Sequence, residues 1–170
     1  MIKTTSEKSI YPDFATLKPD LQSALIIYPL YAGLHGELES ALFYFEQFFL
    51  LKEQKGNEMR DVFLGILSCE IRHLSYLYKT LYFLGVRPKL NENNKHFCAK
   101  KEIKSQTLSE IFLDALAMES VAVNEYLSVL NKLKNEKVKK IIERILLDER
   151  LHCNILQEKF SEHKGARLIY

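Results

Sequence analysis

Glu70-Ile71-Arg72-His73 and Glu149-Arg150-Leu151-His152 are two Glu-x-x-His tetrads lying in strongly helical stretches of a 170-residue chain. Positions i and i+3 of an α-helix lie about 60° apart around the axis and about 4.5 Å along it, so both polar side chains of each tetrad leave the helix on one face. A glutamate falls three places before a given histidine about one time in ten at this composition, so one tetrad alone says little. The surroundings say more. Glu37 precedes Glu70 by 33 residues and Glu119 precedes Glu149 by 30, each on a separate helical stretch.

Working outward, each tetrad belongs to an apolar stripe. The first helix runs through Leu34, Glu37, Ala41, Tyr44, Phe45 and Phe48 at i, i+3, i+4, i+7 spacing. Pro29 either opens it or kinks a longer helix that begins just after Pro19. The Lys55-Gly56-Asn57 turn separates it from the second helix, whose stripe is Phe63, Leu67, Glu70, His73, Leu74, Leu77 and Leu81 and which stops at Gly85. Residues 86–106 are polar and aperiodic, the one long connection. Thr107 with Glu110 is a capping box that opens the third helix, with Phe112, Ala115, Leu116, Glu119, Ala122, Val123 and Tyr126 in line. Asn135 caps the fourth, which carries Val138, Ile142, Ile145, Glu149, His152, Leu156 and Phe160. The expected fold is all-α: a single domain over 1–170, with a four-helix bundle core at about 29–160 built from two helical hairpins and one crossover. The halves also repeat, since aligning Glu37 with Glu119 brings Tyr44 onto Tyr126.

These stripes turn six polar groups inward. Burying an unpaired carboxylate costs several kcal/mol, and four together repel one another. Two divalent cations balance the charge: four carboxylates supply −4, the ions +4, and neutral imidazoles nothing. Glu37, Glu70, His73, Glu119, Glu149 and His152 are therefore the expected ligands of two metal ions. Such an oxygen-rich set suits iron first and manganese next, and suits a tetrahedral zinc site less. Tyr44 and Tyr126, two turns from Glu37 and Glu119, are candidates to hydrogen-bond those carboxylates or supply an electron, or else are plain core tyrosines. Cys69 and Cys153 read as small core hydrophobes, and His35, Glu39 and Glu125 as surface groups. His96, Cys98 and His163 are assigned to a polar loop and tail. The phenylalanine excess at Phe43, Phe45, Phe48 and Phe49 marks deeper core or a homodimer contact.

The bulk properties exclude several classes. The chain is 47% hydrophobic and 27% charged with a net charge of +2, and its charges are well mixed, so neither nucleic acid nor an anionic membrane is an expected partner. No apolar run spans a bilayer, and residues 1–20 hold no signal-peptide core. Three cysteines without CxxC spacing argue against a disulfide framework and point to a cytoplasmic protein.

The segments GELESALFYF, CEIRHLSYLY, LAMESVAVNEY and LLDERLHCNIL resemble the ferritin-like superfamily of dimetal carboxylate proteins, above all its rubrerythrin-like and manganese-catalase-like members, over roughly residues 34–160. The resemblance implies that Glu70 and Glu149 bridge the two ions, with Glu37 and His73 completing one and Glu119 and His152 the other. It implies an oxidoreductase acting on hydrogen peroxide or dioxygen, with an external electron donor where the metal is iron. Two features depart from rubrerythrins: Ala122 stands where a further glutamate is usual, and the paired CxxC motifs of an iron–thiolate domain are absent. Only ten residues follow Phe160, so the fifth helix of cage-forming ferritins is not expected. Ferrous-iron oxidation, hydroxylation of a small organic molecule and a non-catalytic, metal-braced structural protein are the competing readings.

Overall fold

In the computed structural model, which describes residues 5–51, 57–89 and 107–167, five helices follow one another: α1 (Leu21–Ala32), α2 (Glu37–Leu50), α3 (Asn57–Phe83), α4 (Leu108–Lys132) and α5 (Glu136–Arg167). Helices α1 and α2 together make the first rod of a four-helix bundle; α2 packs along α3 and α4 along α5, forming two hairpins. The expected turn at residues 55–57 falls largely outside the described residues, as do most of the crossover, His96 and Cys98.

Local chemistry explains the helix ends. Asp20 caps α1 by accepting from the Ser23 backbone at 3.0 Å, and it also accepts from Asn135 Nδ2 at 3.0 Å, so one carboxylate ties α1 to the start of α5. Thr107 and Glu110 form the reciprocal box that opens α4. Asn135 Oδ1 accepts from the Lys137 and Val138 backbones at 3.1 and 3.3 Å. Helix α3 ends on Gly85, at φ 91°, with Gly85 N–H bonded to the Tyr82 carbonyl and Val86 N–H to the Leu81 carbonyl. That pair of bonds is a Schellman stop, and the left-handed backbone there needs glycine.

The first rod corrects the sequence reading. A longer helix does begin just after Pro19, but it breaks at residues 33–36 rather than merely bending at Pro29. Gly33 N–H bonds back to the Pro29 carbonyl at 2.9 Å, and His35 takes φ 62° before α2 starts. A Cβ on Gly36 would lie 2.7 Å from the Pro29 carbonyl oxygen and 2.8 Å from that of Leu30, so backbone packs on backbone where only glycine fits. Leu34 therefore lies outside both helices and is 79% exposed rather than inward. In α2 the buried line is Glu37, Ala41, Tyr44 and Gln47, while Phe45 is half exposed because the face turns after the break. His163, expected in a tail, sits in the last turns of α5 with its ring 6.1 Å from that of Phe112.

Two apolar clusters fill the bundle. One holds Ile27, Leu30, Leu77, Leu81, Tyr126, Val129, Ile142 and Ile145; the other holds Tyr44, Phe63, Ile66, Phe112, Ala115, Leu156 and Phe160. Between them lies a polar layer.

Candidate metal centre

All six sequence-selected residues meet in that layer. Glu37 comes from the first turn of α2, Glu70 and His73 from α3, Glu119 from α4, and Glu149 and His152 from α5; each is at most 3% exposed. Nδ1 of His73 lies 2.8 Å from Glu149, 3.3 Å from Glu37 and 3.6 Å from Glu70. Nδ1 of His152 lies 3.0 Å from Glu70, 3.4 Å from Glu119 and 3.9 Å from Glu149. The donor atoms fall into two overlapping groups, Glu37–Glu70–His73–Glu149 and Glu70–Glu119–Glu149–His152, each with its atoms within 4.8 Å of one another. Glu70 and Glu149 are common to both.

The tyrosines cross over. Tyr44 on α2 donates to Oε1 of Glu119 on α4, and Tyr126 on α4 donates to Oε1 of Glu37 on α2. Each rod thus holds the other's glutamate, with the second oxygen left facing inward. The exchange matches the internal repeat of Glu37–Tyr44 and Glu119–Tyr126.

The outer histidine nitrogens settle how the rings face. Nε2 of His73 lies 3.1 Å from Oδ2 of Asp148, and Nε2 of His152 lies 2.9 Å from the Thr5 carbonyl oxygen. A carboxylate and a carbonyl only accept, so Nε2 carries the hydrogen in both rings and Nδ1 of the neutral ring has a free lone pair pointing inward.

Seven buried inward atoms have no hydrogen-bond partner outside the layer itself: Glu37 Oε2, both oxygens of Glu70, Glu119 Oε2, Glu149 Oε1, His73 Nδ1 and His152 Nδ1. Buried polar atoms are normally satisfied, so this concentration is the signature of a site shaped for cations. Oxygen and imidazole donors around two overlapping centres fit a pair of divalent ions.

The electrostatics of the metal-free layer agree. Burial, joined by the Glu70 charge, pushes Glu37 up to about 8. Burial and the charges of Glu70 and Glu37 likewise raise Glu149. Burial opposes charge on both histidines, but the Glu37 and Glu149 carboxylates outweigh it at His73, and Glu119 leads the groups that outweigh it at His152; both end above the usual imidazole range. Glu70 is buried too, yet its contacts with His152 and His73 hold it below the usual carboxylate range. Without cations, the layer balances its charge by keeping protons.

Sequence reasoning missed the supporting shell. Asp148 is fully buried and accepts from Tyr11 Oη at 2.6 Å, the Glu7 backbone at 2.7 Å and Ser6 Oγ at 3.2 Å, besides pairing with Arg144 at 2.8 Å. Burial works against its ionisation, but those partners and His73 keep it charged. The available signal was the spacing Arg144, Asp148, His152, one turn apart on α5. Cys69 is buried as expected but is more than filler, since its Sγ lies 3.4 Å from both His73 Nε2 and Asp148 Oδ2. His35, Glu39 and Glu125 lie at the surface, as read.

Fold and site define a ferritin-like helical bundle. The sequence profile of the rubrerythrin family matches residues 30–160, and the chain belongs to that family. Its structure is similar to that of KatB, a manganese catalase from Anabaena, with a TM-score of 0.77 and 16% identity over 93% of this chain and 80% of that one. It is also similar to the bacterioferritin of Desulfovibrio desulfuricans, described with a diiron site, at a TM-score of 0.72 and 19% identity over 85% of this chain and 81% of that one. At these identities the likeness is one of fold. No curated protein matches the chain significantly. Ala122, the departure from the rubrerythrin pattern noted in the sequence, is buried. Among the described residues, no helix is long and apolar enough to cross a membrane.

Proposed function

We propose that the chain is a dimetal oxidoreductase acting on hydrogen peroxide or dioxygen, with iron, or failing that manganese, held by Glu37, Glu70, His73, Glu119, Glu149 and His152. The observation that carries this reading is the set of seven buried donor atoms with no partner outside the layer, arranged in two groups that share Glu70 and Glu149. Glu70 and Glu149 would be shared by the two ions, with Glu37 and His73 holding one and Glu119 and His152 the other. When bound, such a pair supplies two-electron redox chemistry.

The chain's own residues do the rest. Tyr44 and Tyr126 fix the outer oxygens of Glu119 and Glu37, which aims the remaining oxygens inward and reduces the reorganisation needed on binding. Asp148 and the Thr5 carbonyl hold the imidazoles with Nδ1 facing the layer. The apolar clusters on either side keep water from the centre. Burial and the neighbouring carboxylates raise Glu37 and Glu149 in the metal-free layer, so cations would displace protons there on binding.

Elemental analysis of protein purified without added metal, combined with a peroxide-consumption assay, tests the reading. Two ions per chain and peroxide loss are expected: loss without any donor identifies the manganese version, and loss only with a reductant the iron version. Two ions with neither peroxide nor dioxygen consumed would leave a metal-braced structural protein. Zero ions would sink the metal assignment itself.

A further inference from the structure

The segment before α1 is not a loose leader. Residues 5–11 lie along the outer groove between α3 and α5, a groove whose walls repeat every four residues: Gly65, Cys69 and His73 on one side, Arg144, Asp148 and His152 on the other. Arg144 grips the segment's backbone, donating from Nε to the Ser9 carbonyl at 2.8 Å and from Nη2 to the Glu7 carbonyl at 2.7 Å. Its guanidinium also lies over the Tyr11 ring, 4.1 Å from the centroid. Asp148 takes the Glu7 N–H, Ser6 Oγ and Tyr11 Oη. Arg72 reaches Ser6 Oγ at 3.0 Å. At the end of this run the Thr5 carbonyl accepts from His152.

Gly65 makes room for the segment. A Cβ there would lie 2.7 Å from Thr5 Cγ2 and 3.0 Å from Thr5 Oγ1. Glycine inside a helix costs about 0.5–1 kcal/mol relative to alanine, so α3 gives up helical stability where Thr5 packs against it.

We propose that residues 5–11 are a strap that gates ion exchange, closing the outer side of both histidines so that an ion leaves or enters only when the strap lifts. The proposal rests on the dimetal reading above. A histidine releases an ion by turning its ring, and the outer edge of His152 is bonded to the strap itself. His73 is held one step removed, through Asp148, which the strap satisfies with three of its own donors. Lifting the strap frees both rings and opens the groove.

Gly65→Ala tests this without altering a ligand or a hydrogen bond. Threonine fills two of the three staggered positions on its Cβ, and two of them face Gly65, so no rotamer of Thr5 avoids the added methyl. Adding Thr5→Ala removes both clashing atoms and leaves only the Thr5 Cβ contact at 3.4 Å. Full-length protein loaded with Mn²⁺ is mixed with excess chelator and the rate of ion loss is followed, while trypsin cleavage after the exposed Lys8 reports strap release with and without metal. Gly65→Ala is expected to speed ion loss about tenfold or more, the low end for losing an outer partner of a ligating histidine. It is also expected to speed trypsin cleavage after Lys8, and the double variant to return both rates toward wild type. Arg144→Lys, which keeps the charge but loses the fork, is expected to act in the same direction. Unchanged ion loss in a Gly65→Ala protein that still holds two ions overturns the gate, whether or not Lys8 becomes cleavable. A wild-type protein that never holds two ions overturns the dimetal reading and the gate with it; cleavage at Lys8 in metal-free protein then still separates a latched strap from a loose one.

Discussion

Tyr126, from the C-terminal half of α4, donates its hydroxyl proton to Oε1 of Glu37, the first residue of α2 and 89 positions away in the chain. The break at residues 33–36 makes this possible, because it restarts the helix with Glu37 already facing the layer. Tyr44 and Glu119 make the same contact in the opposite direction.

Replacing Tyr126 with phenylalanine keeps the ring's packing and leaves a buried carboxylate oxygen without its donor. The metal-free protein is expected to lose about 1–3 kcal/mol, measured by urea unfolding. Ion affinity, measured by chelator competition, is expected to fall about 10–100-fold. Tyr44→Phe should behave alike, and a variant with unchanged affinity would show that the tyrosines are core packing only.

Asp148→Asn removes the charge that partners Arg144 and His73 while keeping the shape. Leaving Arg144 buried without its counter-ion is expected to cost about 3–5 kcal/mol, again by denaturant unfolding. Ion binding should weaken as His73 loses its fixed orientation. Full stability in this variant would mean that the buried pair of Arg144 and Asp148 is dispensable.

Gly36→Ala is expected to destabilise by about 1–3 kcal/mol, because its methyl would meet two backbone carbonyl oxygens that cannot turn aside. The displacement falls next to Glu37, so loss of ion affinity should accompany it. Calorimetric melting of the metal-free and loaded forms checks both.

Stability and pH are linked through the protons of the empty layer. Glu37 rises from 4.5 to about 8 on folding. A group raised in the folded state contributes stability that is full below its unfolded value and disappears as pH rises through the folded one. Glu149, His73 and His152 are raised as well. Glu70 and Asp148 are lowered, so their contributions vanish only in acid and stay constant across neutral pH. Metal-free protein should therefore melt at a lower temperature at pH 8.5 than at pH 6. Ions displace those protons, so their binding strengthens over the same range. The gap in melting temperature between loaded and metal-free protein should widen with pH, and a gap that narrows would contradict the assignment.

Local rules made much of this legible. Glu70 and His73, like Glu149 and His152, share a face because of helical geometry alone, and apolar neighbours four residues away say which face turns inward. The caps at Thr107 and Asn135 are equally local and were read correctly. Leu34 and Phe45 were misread because a stripe carries meaning only while the helix is continuous. The interruption at Gly33–Gly36 depends on how closely the backbone at Pro29 approaches, which no periodicity records.

Hydrophobic spacing and paired carboxylate–imidazole steps were thus enough to indicate four rods, the bundle and which six side chains meet. Tertiary packing alone decided that each tyrosine serves the glutamate of the opposite hairpin, that Asp148 rather than a residue nearer in sequence orients His73, and that a polar, aperiodic stretch from Thr5 to Tyr11 lies against His152. The reason is one of range. Contacts within a helix repeat every three or four residues and leave a pattern in the chain, whereas contacts between residues 75 to 147 positions apart depend on how finished helices dock.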